Sequence, residues 1–225
     1  MSTGTTVAAG AGGPRRILVI GPQGAGKGTQ GAILAGRLGI ATVSTGDLFR
    51  AHVGGGTELG RLAKTYMDAG DLVPDEVTIA MVRARLDEPD AASGFLLDGF
   101  PRNAVQAGAL DELLAGRATP LQAVLSLTLG DEQIVARLSG RRVDSRTGAT
   151  YHVVSDPPPA ADVAAGYVVQ RDDDRPEPIR RRLQLFHDQT TPLLELYAGR
   201  GLLVSADGDG TVGEVAERVA SALGL

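Results

Sequence analysis

The patterned part of the chain opens on a short run with no polar member, Ile17–Ile20, three of whose four residues are β-branched. A run so short and so apolar predicts a strand covered on both faces, as in a parallel sheet. It stops at Gly21. From Gly26 to about Leu38 the apolar Ile33, Leu34 and Leu38 share one side of a predicted helix. Ala41–Ser44 predicts a second strand. Thr45–Val53, Glu58–Ala69 and Asp75–Leu86 predict three helices, parted by Gly54–Gly56 and Gly70–Pro74. Phe95–Asp98 is a strand ending in an acid, Ala104–Leu114 a helix, Ala123–Leu127 a buried strand and Asp131–Leu138 a short helix.

The rhythm breaks between Gly140 and Asp174. Tyr151–Val154, three consecutive prolines from Pro157 and Tyr167–Val169 stand among the turn residues Ser145, Gly148 and Gly166, which predicts a small antiparallel lobe. Pro176–Tyr197 predicts one long helix, with Pro176 and Pro178 tolerable in its first turn and a kink at Pro192. Leu202–Ser205 and Val212–Leu223 predict a last strand and a last helix. Strands alternating with helices over short links imply an α/β fold, a parallel sheet with helices on both faces.

Composition narrows the chemistry. The 225 residues carry a net charge of −5, which argues against general affinity for nucleic acid polymers or anionic membranes. An anion site must then be assembled locally. There is no Cys, so thiolate metal sites and disulfides are excluded. No apolar run reaches the length of a membrane span. Met1–Pro14, rich in Gly, Ala and Thr, reads as a disordered extension without the features of a signal peptide, and a cytoplasmic location is the default expectation. Basic residues are 20 Arg against two Lys, so Lys27 stands out.

Lys27 lies in Gly21-Pro22-Gln23-Gly24-Ala25-Gly26-Lys27-Gly28-Thr29, which fits G-x-x-x-x-G-K between a predicted strand and a predicted helix. Glycines let backbone N–H groups converge on phosphate oxygens, the helix N-terminus adds partial positive charge, and Lys27 supplies a compact cation. The residue after Lys27 is Gly28, where a magnesium-binding hydroxyl is usual. Thr29 follows and offers one.

Further segments add to the loop: STGDLFR (44–50), LVPDE (72–76), GFLLDGFPRN (94–103), GRRV (140–143), Tyr151-His152, RDDD (171–174) and RRRL (180–183). In this order and spacing the chain resembles the adenylate kinases in their long-lid form, from about residue 15 to the end. The resemblance implies a P-loop NTPase-type core (15–44, 75–139, 175–225), an AMP-binding helical region (45–74) and an antiparallel β lid (140–174). It implies transfer of the terminal phosphoryl group of ATP to AMP, giving two ADP, by a monomer using magnesium.

Site residues follow by the same resemblance. Gly24, Ala25, Gly26, Lys27, Gly28 and Thr29 hold the ATP phosphates, while Arg137 and the Gly208–Gly210 turn meet its adenine. Arg50 and Arg102 clamp the AMP phosphate; Thr45 and Gln106 read its base, lined by Val73 and Gly99. Arg141, Arg171 and Arg182 close over the phosphates. Asp98 holds magnesium through water, and Asp173 and Asp174 pair with arginines. Arg61, Arg83, Arg85 and Arg218 are expected to be surface charges, Asp47 a helix-start acid, and His52, His152 and His187 packing or surface groups.

The lid departs from the family pattern. Where many relatives bind zinc through Cys, this chain has Asp144 and Thr147, with a second pair near Asp162–Ala165, and Ser155 stands where an aromatic is common. Zinc prefers N and S ligands in a closed tetrahedron, so no lid metal is expected. Two other readings compete: a kinase for UMP and CMP, disfavoured by Thr45, Gln106 and the long lid, and a nucleotide-binding switch or ATPase, which leaves Arg50, Arg102 and Gln106 without purpose.

Overall fold

A computed structural model describes residues 15–225; the expected N-terminal extension lies outside the described residues. Five strands form one parallel sheet: β1 (Arg16–Ile20), β2 (Ala41–Ser44), β3 (Phe95–Asp98), β4 (Ala123–Thr128) and β8 (Leu203–Asp207), ordered β2-β3-β1-β4-β8. β1 is central, with Val19 in register with both Asp98 and Leu125. Its four apolar residues divide between two cores. Ile17 and Val19 pack with Leu34 of α1 (Lys27–Leu38) and Val219 of α10 (Val212–Leu223). Leu18 and Ile20 pack with Val82 of α4 (Asp75–Leu86), Leu110 of α5 (Ala104–Gly116) and Tyr197 of α9 (Thr191–Gly199). This two-sided burial explains why β1 is wholly apolar from Ile17 onward, after the half-buried Arg16 at its start.

Two insertions flank the sheet. α2 (Thr45–Gly54) and α3 (Glu58–Ala69) form a helical pair with a small core of Phe49, Ala63 and Val73. Beyond α6 (Asp131–Gly140), β5 (Arg141–Asp144) pairs antiparallel with β6 (Thr150–His152) and β7 (Val168–Val169), as the turn-rich sequence predicts. The lobe also contains a short helix the sequence reading did not foresee, α7 (Ala160–Ala164), which follows the three prolines.

The long helix expected over Pro176–Tyr197 is divided. α8 (Pro176–Leu185) passes into a π-helical turn, Phe186–Thr190, before α9. The break therefore precedes Pro192, which sits in the first turn of α9, where its missing N–H is harmless. The wider turn delivers Thr190, 7% exposed, so that its hydroxyl donates to the Arg102 carbonyl at 2.7 Å.

Candidate active site

The parallel strands all end on one edge, and loops leaving such an edge build ligand sites in open α/β sheets. β1 leads there into the glycine loop. Gly26, at φ 92°, takes the left-handed backbone that glycine tolerates, just before α1 begins at Lys27. The turn after β8 presses against the loop from the side: a Cβ on Gly208 would stand 2.7 Å from the Ala25 carbonyl oxygen, so only glycine fits there. Arg137 on α6 reaches the same turn, donating to the Gly208 carbonyl at 3.0 Å. Arg218, expected as a surface charge, fastens it from α10 by donating to the Asp207 carbonyl at 2.8 Å and to the Asp209 carbonyl. No sequence motif marks Arg218, because its partners are backbone atoms.

A cleft of about 930 Å³ opens over this edge between the two insertions. It brings together the candidate nucleotide- and magnesium-binding residues of the sequence: the loop from Gly24 to Thr29, then Thr45, Arg50, Val73, Asp98, Gly99, Arg102 and Gln106, then Arg137, Arg141, Arg171, Arg182 and Gly210. Seven of these are cations, drawn from several separate segments of the chain. His152, expected as a packing or surface group, lines the cleft as well, and its Nδ1 accepts from the Val154 and Ser155 N–H groups. His187 meets Asp131 on the surface, and His52 bonds Thr57. Arg61 donates to the Gly56 carbonyl and Arg85 pairs with Asp90.

Crowding so much positive charge in one place perturbs the groups. Burial, opposed by Asp98 and aided by Arg102, Arg141 and Arg182, pushes the Lys27 ammonium down to about 8. Its Nζ donates to the Pro22 carbonyl at 2.9 Å. Burial and the neighbouring Arg182 bring Arg102 down to about 10. Burial, Arg50 and Arg141 lower Arg171. Carboxylates hold part of the set in place. Arg141 forks onto Asp174, which is 1% exposed, with Nε donating at 2.8 Å. Arg182 Nη1 pairs with Asp173 Oδ2 at 2.6 Å, and against burial, which pushes it up, that arginine keeps Asp173 below the usual carboxylate range. Asp172 is the exposed member of the trio and pairs with Arg175. Arg50 pairs with Asp47 in the first turn of α2.

The wall of the cleft around Thr45 and Gly99 is hydrogen-bonded as tightly. Thr45 donates to the Gly99 carbonyl at 3.0 Å, and the Arg102 guanidinium donates to the same carbonyl at 2.8 Å. Gln106 is buried at 1% exposure.

In the lobe, the Asp144 carboxylate is buried and accepts from the Arg146 N–H at 2.8 Å, from Arg146 Nη2 at 2.6 Å and from the Thr147 N–H at 3.3 Å. The bond from the Arg146 side chain holds it down at about 2. Arg146 also reaches Asp162 at 2.8 Å and lies over the Tyr167 ring, 3.8 Å from its centre. One guanidinium thus joins the two ends of the lobe that the sequence comparison left without a link. Arg146 escaped notice because a lone Arg in a turn has no distinguishing pattern.

Comparison with known proteins agrees with this arrangement. The family model described as "Adenylate kinase" matches residues 19–202. An adenylate kinase of Streptomyces avermitilis is 52% identical over 212 residues, covering 92% of this chain and 96% of that protein. One from Acidothermus cellulolyticus is 50% identical over 211 residues, covering 92% and 97%, and one from Caldicellulosiruptor saccharolyticus is 46% identical over 213 residues, covering 93% and 99%. With a matching P-loop core, a cleft walled by two insertions and these relatives along nearly its whole length, the chain belongs to the adenylate kinase family.

Proposed function

We propose that the chain transfers the terminal phosphoryl group of ATP to AMP, giving two ADP, with Lys27, Arg102, Arg141, Arg171 and Arg182 as the groups that carry the transfer. The supporting observation is the convergence of seven cations from several segments on one cleft that also holds a second, hydrogen-bonded pocket around Thr45, Gly99 and Gln106. A switch or simple ATPase needs one nucleotide site and has no use for the second.

The geometry supports a division of labour. The loop N–H groups and Lys27 hold the ATP phosphates, and Arg137 with the Gly208–Gly210 turn lines the side where its adenine lies. Arg50 and Arg102 clamp the AMP phosphate, Thr45 and Gln106 face its base, and Val73 and Gly99 line the pocket. An AMP phosphate oxygen attacks the γ-phosphorus in line as the bond to the β,γ-bridging oxygen breaks. No strong base is required; positioning and neutralisation of charge on the moving group lower the barrier. Permanently charged arginine forks suit that task. Residues 140–174 act as a lid and 45–74 as the AMP-side clamp, closing to exclude water. The resemblance also supports a cytoplasmic monomer.

The family works on ATP with magnesium. The residues here fit that ion: Thr29 is exposed in the cleft, and a Cβ on Gly28 would lie 3.9 Å from Asp98 Oδ2, so a hydroxyl and a carboxylate, both hard oxygen donors, flank the loop. Thr29 directly and Asp98 through water would hold it, and its charge would help neutralise the phosphates.

The decisive assay compares AMP, UMP, CMP and GMP as acceptors with ATP as donor. AMP is expected to dominate; equal rates on UMP would move the assignment to the pyrimidine branch of these kinases.

A further inference from the structure

Gln106 lines the cleft, and the residue type alone does not decide which end of its amide carries the oxygen. Its partners do. Gln106 Nε2 donates to Asp75 Oδ1 at 2.7 Å, and Gln106 Oε1 accepts from the Arg102 N–H at 2.9 Å. A carboxylate only accepts and a backbone N–H only donates, so a reversed amide would oppose like to like at both ends. Asp75 is itself held. Asn103 Nδ2 donates to its carboxylate at 2.9 and 3.2 Å, while Asn103 Oδ1 accepts from the Gln106 N–H at 2.9 Å. This closed ring joins the first turn of α4 to the first turn of α5.

We propose that Asp75 is a positioning residue that sets base selectivity at the acceptor site, by locking the Gln106 amide in the orientation that reads a 6-amino purine and rejects a 6-oxo purine. The proposal rests on the reading that Gln106 faces the base of the accepting nucleotide. Asp75 and Arg102 each take one hydrogen-bonding site, so Gln106 keeps one N–H and one carbonyl lone pair for a base. Adenine offers their complement on adjacent atoms: its N6 amino group donates and its N1 accepts. In a 6-oxo purine the order is reversed, since O6 accepts and N1–H donates. Seated in the same way, such a base sets donor against donor and acceptor against acceptor. An unlocked amide would turn over and accept either base. Discrimination therefore lies in the lock, and its charge-assisted member is the bond to Asp75. Buried polar groups left unpaired are what give a site large rejection factors.

The test measures kcat/KM for AMP and for IMP, with ATP as donor, in the parent, Asp75→Ala, Asp75→Asn and Gln106→Ala. IMP differs from AMP only in the 6-oxo group and the N1 proton. The AMP-to-IMP ratio is expected to fall about tenfold or more in Asp75→Ala, the worth of one hydrogen bond to a charged group. The fall should be smaller in Asp75→Asn, which keeps an accepting oxygen, and largest in Gln106→Ala. If Asp75→Ala does not fold, Asp75→Asn carries the same comparison. Loss of the acidic helix start alone would slow both acceptors equally. An unchanged ratio in the Asp75 variants beside a reduced one in Gln106→Ala overturns the proposal and leaves the placement of Gln106 standing. An unchanged ratio in Gln106→Ala overturns that placement, and the role of Asp75 with it.

Discussion

Without a nucleotide, Lys27 should destabilise the protein it serves. Its ammonium is buried, and although Asp98 opposes the effect, burial with Arg102, Arg141 and Arg182 nearby brings its pKa from 10.5 to about 8. In the unfolded chain the ordinary value returns. Between these values the unfolded state binds the extra proton, so stability rises with pH across that window and the full penalty applies below pH 8. At about 1.36 kcal/mol per unit, the difference amounts to about 3 kcal/mol. Lys27→Met removes the charge and keeps an unbranched apolar stem. It also removes the bond to the Pro22 carbonyl, which contributes about 1 kcal/mol. The net expectation is a gain of about 2 kcal/mol at pH 7, or roughly 4–8 °C in Tm for a chain of this size. Thermal unfolding of the ligand-free proteins, followed by circular dichroism at pH 7 and pH 10.5, measures it. The advantage of the variant should shrink at the higher pH, where Lys27 is largely neutral in the folded parent. A bisubstrate analogue linking two adenosines through five phosphates should reverse the order, because its anions favour the parent. Turnover should fall by about 100-fold or more. A Lys27→Met protein that melts at or below the parent at pH 7, or whose advantage grows with pH, would refute the reasoning.

Two further outcomes follow from the same geometry. Arg146→Met should expose the 140–174 lobe to proteolysis and raise the KM for ATP severalfold, with Arg146→Lys between the two because it keeps charge but loses the fork and the ring contact; cleavage at the parent rate would show that another contact holds the lobe. Thr190→Val should raise the KM for AMP and cost about 1 kcal/mol of stability by leaving the Arg102 carbonyl unpaired, whereas Thr190→Ser should match the parent; equal behaviour of Val and Ser would remove Thr190 from the positioning of Arg102.

Much of the architecture was legible in the chain because it follows from local rules. Ile17–Ile20 reads as a doubly covered strand since each of its side chains must be apolar, whichever face it takes, and the structure divides them between two cores. The glycine loop reads as a phosphate cradle because its backbone chemistry is contained within nine consecutive residues. The Gly140–Asp174 lobe announces itself through turn residues and prolines. The π-helical turn at Phe186–Thr190 was legible only in part: Pro192 signals a disturbance of the helix, but the contact the turn delivers, from Thr190 to Arg102 88 positions earlier, has no local signal.

Residue types at the cleft were likewise readable one motif at a time, whereas their joint state was decided only by tertiary contacts. Sequence marks Lys27 and Arg102 as cations, but burial in the folded cleft, with neighbouring arginines adding to it, is what depresses both. Arg146 and Arg218 carry no motif, because one acts through a carboxylate and a ring brought near by the lobe's folding and the other through backbone carbonyls. Gln106 stood out in the sequence as a candidate for reading a base, but the orientation of its amide was not legible, because the acceptor that fixes it comes from Asp75, 31 positions away. Local pattern thus determined which groups this protein carries and on which elements. Folding decided which of them share a low-dielectric space, and charge and hydrogen-bond direction take their meaning only there.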